Sequence, residues 1–139
     1  MQEKIKTSSK PKILIFDNSP FVRDIYQKHF SKAGFKIRTF DNYDKPYVLD
    51  VVVSEKPDIL FCDILMEGMN GYDAIKLLKS NKRTKDVPII IVSNLGEKKD
   101  IEKGLKTGAA EYLIMAHYTP TQVVNIFKSY LIKSRKADS

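Results

Sequence analysis

Two aspartates and a serine stand where short apolar runs end, and these residue types can do chemistry together. Asp17 follows Lys12 to Phe16 (KILIF), Asp63 follows Asp58 to Cys62 (DILFC), and Ser93 follows Pro88 to Val92 (PIIIV). Converging carboxylates repel, so such a pair calls for a cation between them or for raised pKa values. A ligand set made only of oxygens suits magnesium, which binds through one or two carboxylates together with phosphate and water. The plainer alternative is that Asp17 caps the helix behind it and Asp63 opens a turn. Either residue alone leaves that alternative standing; two of them, each directly after a buried strand, favour a site.

The elements that must position these residues show in the hydrophobic pattern. Five apolar runs recur at similar spacing: the three above, Phe35 to Thr39 (FKIRT) and Glu111 to Ile114 (EYLI). Three are almost uninterrupted, as strands covered on both faces are. Helical signals lie between them. Ser19-Pro20 is a cap followed by proline in the first turn; it opens a helix over Phe21 to Lys32, which Gly34 ends. Pro46 stands near the start of a second helix, which runs to about Glu55 and is stopped by Lys56-Pro57. Gly71 to Ser80 carries Tyr72, Ile75 and Leu78 at a period near 3.6. Glu97 to Thr107 is a short charged helix closed by Gly108, and Thr119-Pro120 opens the last helix, through about Lys133.

Strand and helix alternating five times predict an α/β fold, a parallel sheet with helices on both faces. Ligands of such folds sit at the carboxyl ends of the strands. Those ends are Asp17-Asn18, Asp63, Ser93-Asn94 and Tyr112 to Met115; the second strand, placed at an edge, offers Phe40 and Asp41.

Length and composition bound the rest. The 139 residues make one domain, large enough to bury a core without disulfides or metals, and 42% hydrophobic residues fit a globular chain. Cys62 is the single cysteine, so no disulfide forms within the chain, which suits a reducing cytoplasm. No run approaches the roughly 18 apolar residues of a membrane helix, and no signal-peptide pattern opens the chain. Residues 1–10 and 134–139 read as disordered tails around a domain over 11–133. The formal charge of +7 comes mostly from lysines spread along the chain, a solvated surface in preference to a nucleic-acid interface.

The stretch Asp63 to Gly71 (DILMEGMNG) resembles the phosphoacceptor loop of response-regulator receiver domains, where an aspartate ends the third strand and a Met-Pro and a Gly follow. The resemblance runs from about Lys12 to Leu131. It includes Asp17-Asn18, Val92-Ser93, the segment Gly108 to Leu113 (GAAEYL) and the Thr119-Pro120 helix start. It implies a flavodoxin-like, doubly wound sheet of five parallel strands in the order 2-1-3-4-5. It also implies two-component phosphorelay signalling in the cytoplasm by a phosphoacceptor that is not an enzyme in its own right. Asp63 is then the nucleophile that takes a phosphoryl group from a histidine kinase or phosphotransfer protein. Asp17, Asn18, Asp63 and the Leu65 backbone carbonyl hold Mg2+, Ser93 hydrogen-bonds the phosphoryl group, and Ser93 and Tyr112 form the switch. With no output domain after Lys133, the expectation is action through a downstream target protein.

Three positions depart from the pattern. Asn18 stands for the second acid of the pair, which keeps a carbonyl ligand but removes a negative charge and weakens metal binding. Glu67 stands for proline and brings a carboxylate into the loop. Met115 replaces the lysine that follows strand five and pairs with the phosphoryl oxygens; losing a charge-assisted hydrogen bond of about 1.5–3 kcal/mol corresponds to roughly ten- to a hundred-fold. Two functions follow: a phosphorylated switch, favoured by Asp17, Asp63 and Ser93, or a phosphorylation-independent interaction module, favoured by Asn18 and Met115. A flavin binder or a haloacid-dehalogenase-type phosphatase fits less well. Asp17 repels a flavin phosphate, and Asp63-Ile64-Leu65 lacks the Asp-x-Asp pattern. His29 and His117, expected in a helix and a loop, form no catalytic arrangement with a serine or cysteine.

Overall fold

The structure is a computed structural model that describes residues 10–138, with side chains placed through Lys133. The tail expected over residues 1–10 lies outside the described residues except for Lys10, as does Ser139. The elements run β1 (Lys12–Phe16), α1 (Pro20–Lys32), β2 (Lys36–Phe40), α2 (Val48–Glu55), β3 (Ile59–Cys62), α3 (Gly71–Lys79), β4 (Ile89–Ser93), α4 (Lys98–Thr107), β5 (Glu111–Ile114) and α5 (Pro120–Asp138). A short 3-10 turn, Met115–His117, joins β5 to α5. The backbone of α5 thus continues past the boundary expected near Lys133.

The five strands are parallel, in the order β2-β1-β3-β4-β5. β1, β3 and β4 are central and buried, which is why their sequences are almost continuously apolar; β2 at the edge alternates exposed and covered residues. Each face of the sheet packs its own core. On one side Phe16, Phe40, Tyr43 and Cys62 join residues of α2, α3 and α4. On the other, Phe30, Phe61 and Phe127 join α1 and α5 to the sheet. In that second core Phe30 meets Phe35 and Phe127 edge-on, with centroids 5.0 and 5.2 Å apart, a favoured aromatic geometry.

Local signals end the elements where the sequence places them. The Ser19 hydroxyl accepts from Val22 N–H at 3.2 Å at the start of α1, and Asn70 caps α3 through Asp73 N–H at 3.0 Å. Glu97 is the residue before α4, its own N–H donating to Asp100 Oδ2. β2 starts one residue later than its apolar run, because Phe35 N–H still donates to Phe30 O in the turn that closes α1. Gly34, at φ 98°, supplies the left-handed residue of that turn.

The strand register decides what meets at the rim. Phe16 pairs with Cys62 and with Phe40, Cys62 with Ile91, and Ser93 with Ile114. The residues that follow β1 and β3 therefore emerge side by side, next to the last residue of β4.

Candidate functional site

Asp17, Asp63 and Ser93 come together at this rim, and all three are buried. Asp17 N–H donates to Phe40 O at 3.1 Å and Asp63 N–H to Phe16 O at 3.0 Å, extending the sheet ladder by one residue. The backbone beneath both carboxyls is therefore as fixed as the strands. Asp17 Oδ1 accepts from Ser19 N–H at 2.9 Å, while Oδ2 is buried with no partner among the described residues. Asp63 Oδ1 accepts from Ile64 N–H at 2.7 Å. The Ser93 oxygen accepts from Leu95 N–H at 3.2 Å, leaving its proton for the Asp63 carboxyl beside it.

The electrostatics follow from this burial. Desolvation, aided by the charge of Asp63, pushes the Asp17 carboxyl up to about 7. Asp63 is also raised, again by desolvation first, although Ser93 and the Ile64 and Leu65 backbone groups pull it down. Between two facing carboxylates no hydrogen bond exists until one holds a proton, which is why Asp17 Oδ2 is an orphan. A cation would meet the same need. The donors are all oxygens, one buried and unpaired, and this fits a hard divalent ion such as Mg2+.

The remaining expected residues occupy distinct places. Asn18 is exposed and lines a polar cleft of about 450 Å3 together with Asp41, Asp44, Lys45 and Glu67. Leu65 lies in the loop after β3 with its side chain 55% exposed, and its N–H is near enough to lower the Asp63 pKa. Met115 is half-buried and packs against the α1/α5 core, so its position follows β5 but carries no charge. Tyr112 is buried and its hydroxyl donates to Leu95 O at 2.7 Å. His29 sits in α1 and His117 in the 3-10 turn.

Other residues shape the site without any signal of strand-end position. Arg23, in the first turns of α1, donates from Nη1 to Asp17 O at 2.7 Å and lowers the Asp17 pKa. Tyr43 is fully buried and its hydroxyl donates to Asp63 O at 2.7 Å. A Cβ at Gly71 would collide with Asp63 O and sit 2.7 Å from Ile64 Cα, so the loop after β3 closes only on a glycine there. The sequence hint for Tyr43 was a large aromatic alone in a polar string, Asp41 to Pro46; Gly71 was visible only as the start of a helix.

The response regulator receiver domain family matches residues 13–118, more than half of the chain. The chain belongs to this family. Phosphorylation on aspartate is characteristic of it. Among curated relatives, the phosphate regulon transcriptional regulatory protein PhoB of Pseudomonas aeruginosa is 29% identical over 127 residues, covering 91% of this chain and 54% of the relative. This chain thus spans about half the length of that regulator. A CheY-like response regulator receiver domain protein of Methanospirillum hungatei superposes with a TM-score of 0.82 at 19% identity, over 93% of this chain and 99% of that one. The beryllofluoride-activated N-terminal receiver domain of RstA from Klebsiella pneumoniae superposes with a TM-score of 0.78 at 21% identity, over 86% of this chain and 97% of its own. Both likenesses concern the fold. No helix among the described residues is long and apolar enough to cross a membrane.

Proposed function

We propose that this receiver domain is a phosphoacceptor in a two-component relay, taking a phosphoryl group on Asp63 from a histidine kinase or phosphotransfer protein. The observation that carries the reading is the pairing of buried Asp63 with an orphaned Asp17 Oδ2 and the Ser93 hydroxyl. In the transfer an Asp63 carboxylate oxygen forms a bond to phosphorus as the phosphorus–nitrogen bond of the donor phosphohistidine breaks, and the imidazole leaves with the electron pair. With acetyl phosphate as donor, the broken bond is phosphorus–oxygen and acetate leaves. Asp17, Asn18, Asp63 and the Leu65 carbonyl are the residues to hold Mg2+, which supplies charge neutralisation on the transferring oxygens. Ser93 donates to a phosphoryl oxygen, and Tyr112 exchanges its Leu95 contact as the switch. The output is a contact with a downstream target protein.

Asn18 and Met115 favour a second reading, a phosphorylation-independent interaction module. The cation that pairs with the phosphoryl group in the family is replaced by an apolar side chain seated on the α1/α5 core. Intact mass after incubation with Mg2+ and acetyl phosphate separates the two. A gain of one phosphoryl group that disappears in Asp63→Asn supports the phosphoacceptor; no gain, with no Mg2+-dependent spectral change near Asp17, selects the interaction module.

A further inference from the structure

The loop between β2 and α2, residues 41–47, is built as a rigid turn beside the loop that carries Asp63. The Asn42 side-chain oxygen accepts from Asp44 N–H at 2.8 Å and from Lys45 N–H at 2.6 Å, an Asx turn, and Val48 N–H donates to Tyr43 O at 2.9 Å. Two consecutive residues of this turn reach across to the neighbouring loop. The Tyr43 ring is fully buried and stacks on Phe16 at 4.9 Å, and its hydroxyl donates to the backbone carbonyl of Asp63 at 2.7 Å. Asp44 Oδ2 accepts from Met69 N–H at 2.9 Å and lies against Gly68, where a Cβ would overlap it. Gly68 is at φ 80°, so a side chain is excluded by both space and backbone conformation.

These two hydrogen bonds grip residues 63–69 at both ends. One fixes the carbonyl of the nucleophile's own residue, and the other fixes an amide six positions on. Between them lies Leu65, whose carbonyl is in the proposed metal set. Phe16 immediately precedes Asp17, so the Tyr43 ring also bears on the strand end that presents the second carboxyl. A phenylalanine would stack on Phe16 equally well, so the ring packing alone does not call for the hydroxyl, which also lies beside the buried Cys62 thiol. The proton of that hydroxyl goes to the Asp63 carbonyl.

We propose that Tyr43 and Asp44 are positioning residues that set the Asp63 carboxyl and the Leu65 carbonyl in the geometry that binds Mg2+ and accepts a phosphoryl group. This rests on the phosphoacceptor reading for its second half and on the metal set for its first. Displaced reacting groups cost up to about a hundred-fold per ångström, and loss of one of two anchors is expected to cost about ten-fold.

The test measures Mg2+ dissociation constants and acyl-phosphate formation from acetyl phosphate for wild type, Tyr43→Phe, Asp44→Ala and Asp44→Asn. All are assayed at a temperature where circular dichroism shows each fully folded. Tyr43→Phe and Asp44→Ala are expected to weaken Mg2+ binding and slow phosphorylation, each by about ten-fold. Asp44→Asn keeps an oxygen for Met69 N–H and is expected to restore wild-type values. If Asp44→Asn behaves like Asp44→Ala, the carboxylate acts through its charge on the cleft and positioning by Asp44 is refuted. Variants that only melt earlier, with unchanged Mg2+ binding and rate when folded, overturn the proposal and leave a structural role. If wild type takes no phosphoryl group, the phosphoacceptor reading fails and the Mg2+ titration alone decides the proposal. Wild type that neither binds Mg2+ nor is phosphorylated overturns both.

Discussion

Asp17→Asn is the sharpest perturbation of the carboxylate pair. In the metal-free protein Asp17 Oδ2 is buried without a partner among the described residues, and burial pushes the carboxyl up to about 7 from an ordinary 3.8. A carboxyl raised on folding stabilises the fold least when ionised: its penalty is absent below about 4 and grows as pH rises to about 7. At about 1.36 kcal/mol per unit the shift caps this penalty near 4 kcal/mol, and sharing one proton with Asp63 brings the working value to about 2 kcal/mol. Asparagine removes the penalty. Its Oδ1 still accepts from Ser19 N–H, and its Nδ2 donates to the Asp63 carboxylate that faced Oδ2. At roughly 3–5 °C per kcal/mol for a chain of this size, Asp17→Asn is expected to melt roughly 6–10 °C higher than wild type at pH 8 in EDTA. The gap should shrink towards pH 5, where wild type holds the proton.

Added Mg2+ narrows the gap. A ligand at ten times its dissociation constant stabilises by about 1.4 kcal/mol, so wild type should gain melting temperature with Mg2+ while Asp17→Asn does not. The assay is thermal unfolding by circular dichroism at pH 5 and 8, with EDTA or Mg2+. An Asp17→Asn variant no more stable than wild type at pH 8 in EDTA would refute the view that two unrelieved carboxyls meet at this rim.

Met115→Lys keeps a methylene stem on the α1/α5 core while its ammonium reaches the rim, and should tighten beryllofluoride binding roughly ten- to a hundred-fold by titration; an unchanged affinity means residue 115 does not face the phosphoryl group. Gly104→Ala places a Cβ 2.7 Å from Ile91 Cδ1 and from Tyr112 Cδ2. Overpacking of about 1–3 kcal/mol outweighs a helix-propensity gain of up to about 1 kcal/mol, so the variant should unfold at lower urea and shift the Tyr112 ring resonances; a more stable variant contradicts the packing.

The sequence made one part of this site legible because strand ends are legible. Asp17, Asp63 and Ser93 could be named since β1, β3 and β4 are buried on both faces and read as apolar runs that stop abruptly at polar residues. The order 2-1-3-4-5 came with the family resemblance rather than from the runs, since periodicity does not say which strand neighbours which. Tyr43 and Asp44 stayed hidden for a different reason. Asp41 to Pro46 is a polar, turn-forming string, and only the fold brings it against Phe16 and Met69, distant in sequence. Burial of Tyr43 is a tertiary property with no local signature. Arg23 was hidden in the same way: on α1 it is one cation among many, and its bond to Asp17 O depends on how α1 leaves the rim.

Asn18 and Met115 are best understood together. Relative to the family pattern, one removes a negative charge and the other a positive charge, so the net charge of these two positions is unchanged. What differs is its distribution: Asp17 and Asp63 face each other, position 115 carries no charge, and Arg23 approaches Asp17 from α1. This argues against reading either departure alone as decay. Adding Asp at 18 alone gives a third carboxylate to an unrelieved pair and should lower metal-free stability while tightening Mg2+. Adding Lys at 115 alone should raise metal-free stability. If the two positions belong to one charge balance, Asn18→Asp with Met115→Lys should be more stable in EDTA than the sum of the single changes, with a coupling of about 0.5–3 kcal/mol. The measurement is a double-mutant cycle by urea unfolding in EDTA. Strict additivity would show that positions 18 and 115 act on separate sites, and the compensation argument would fall with it.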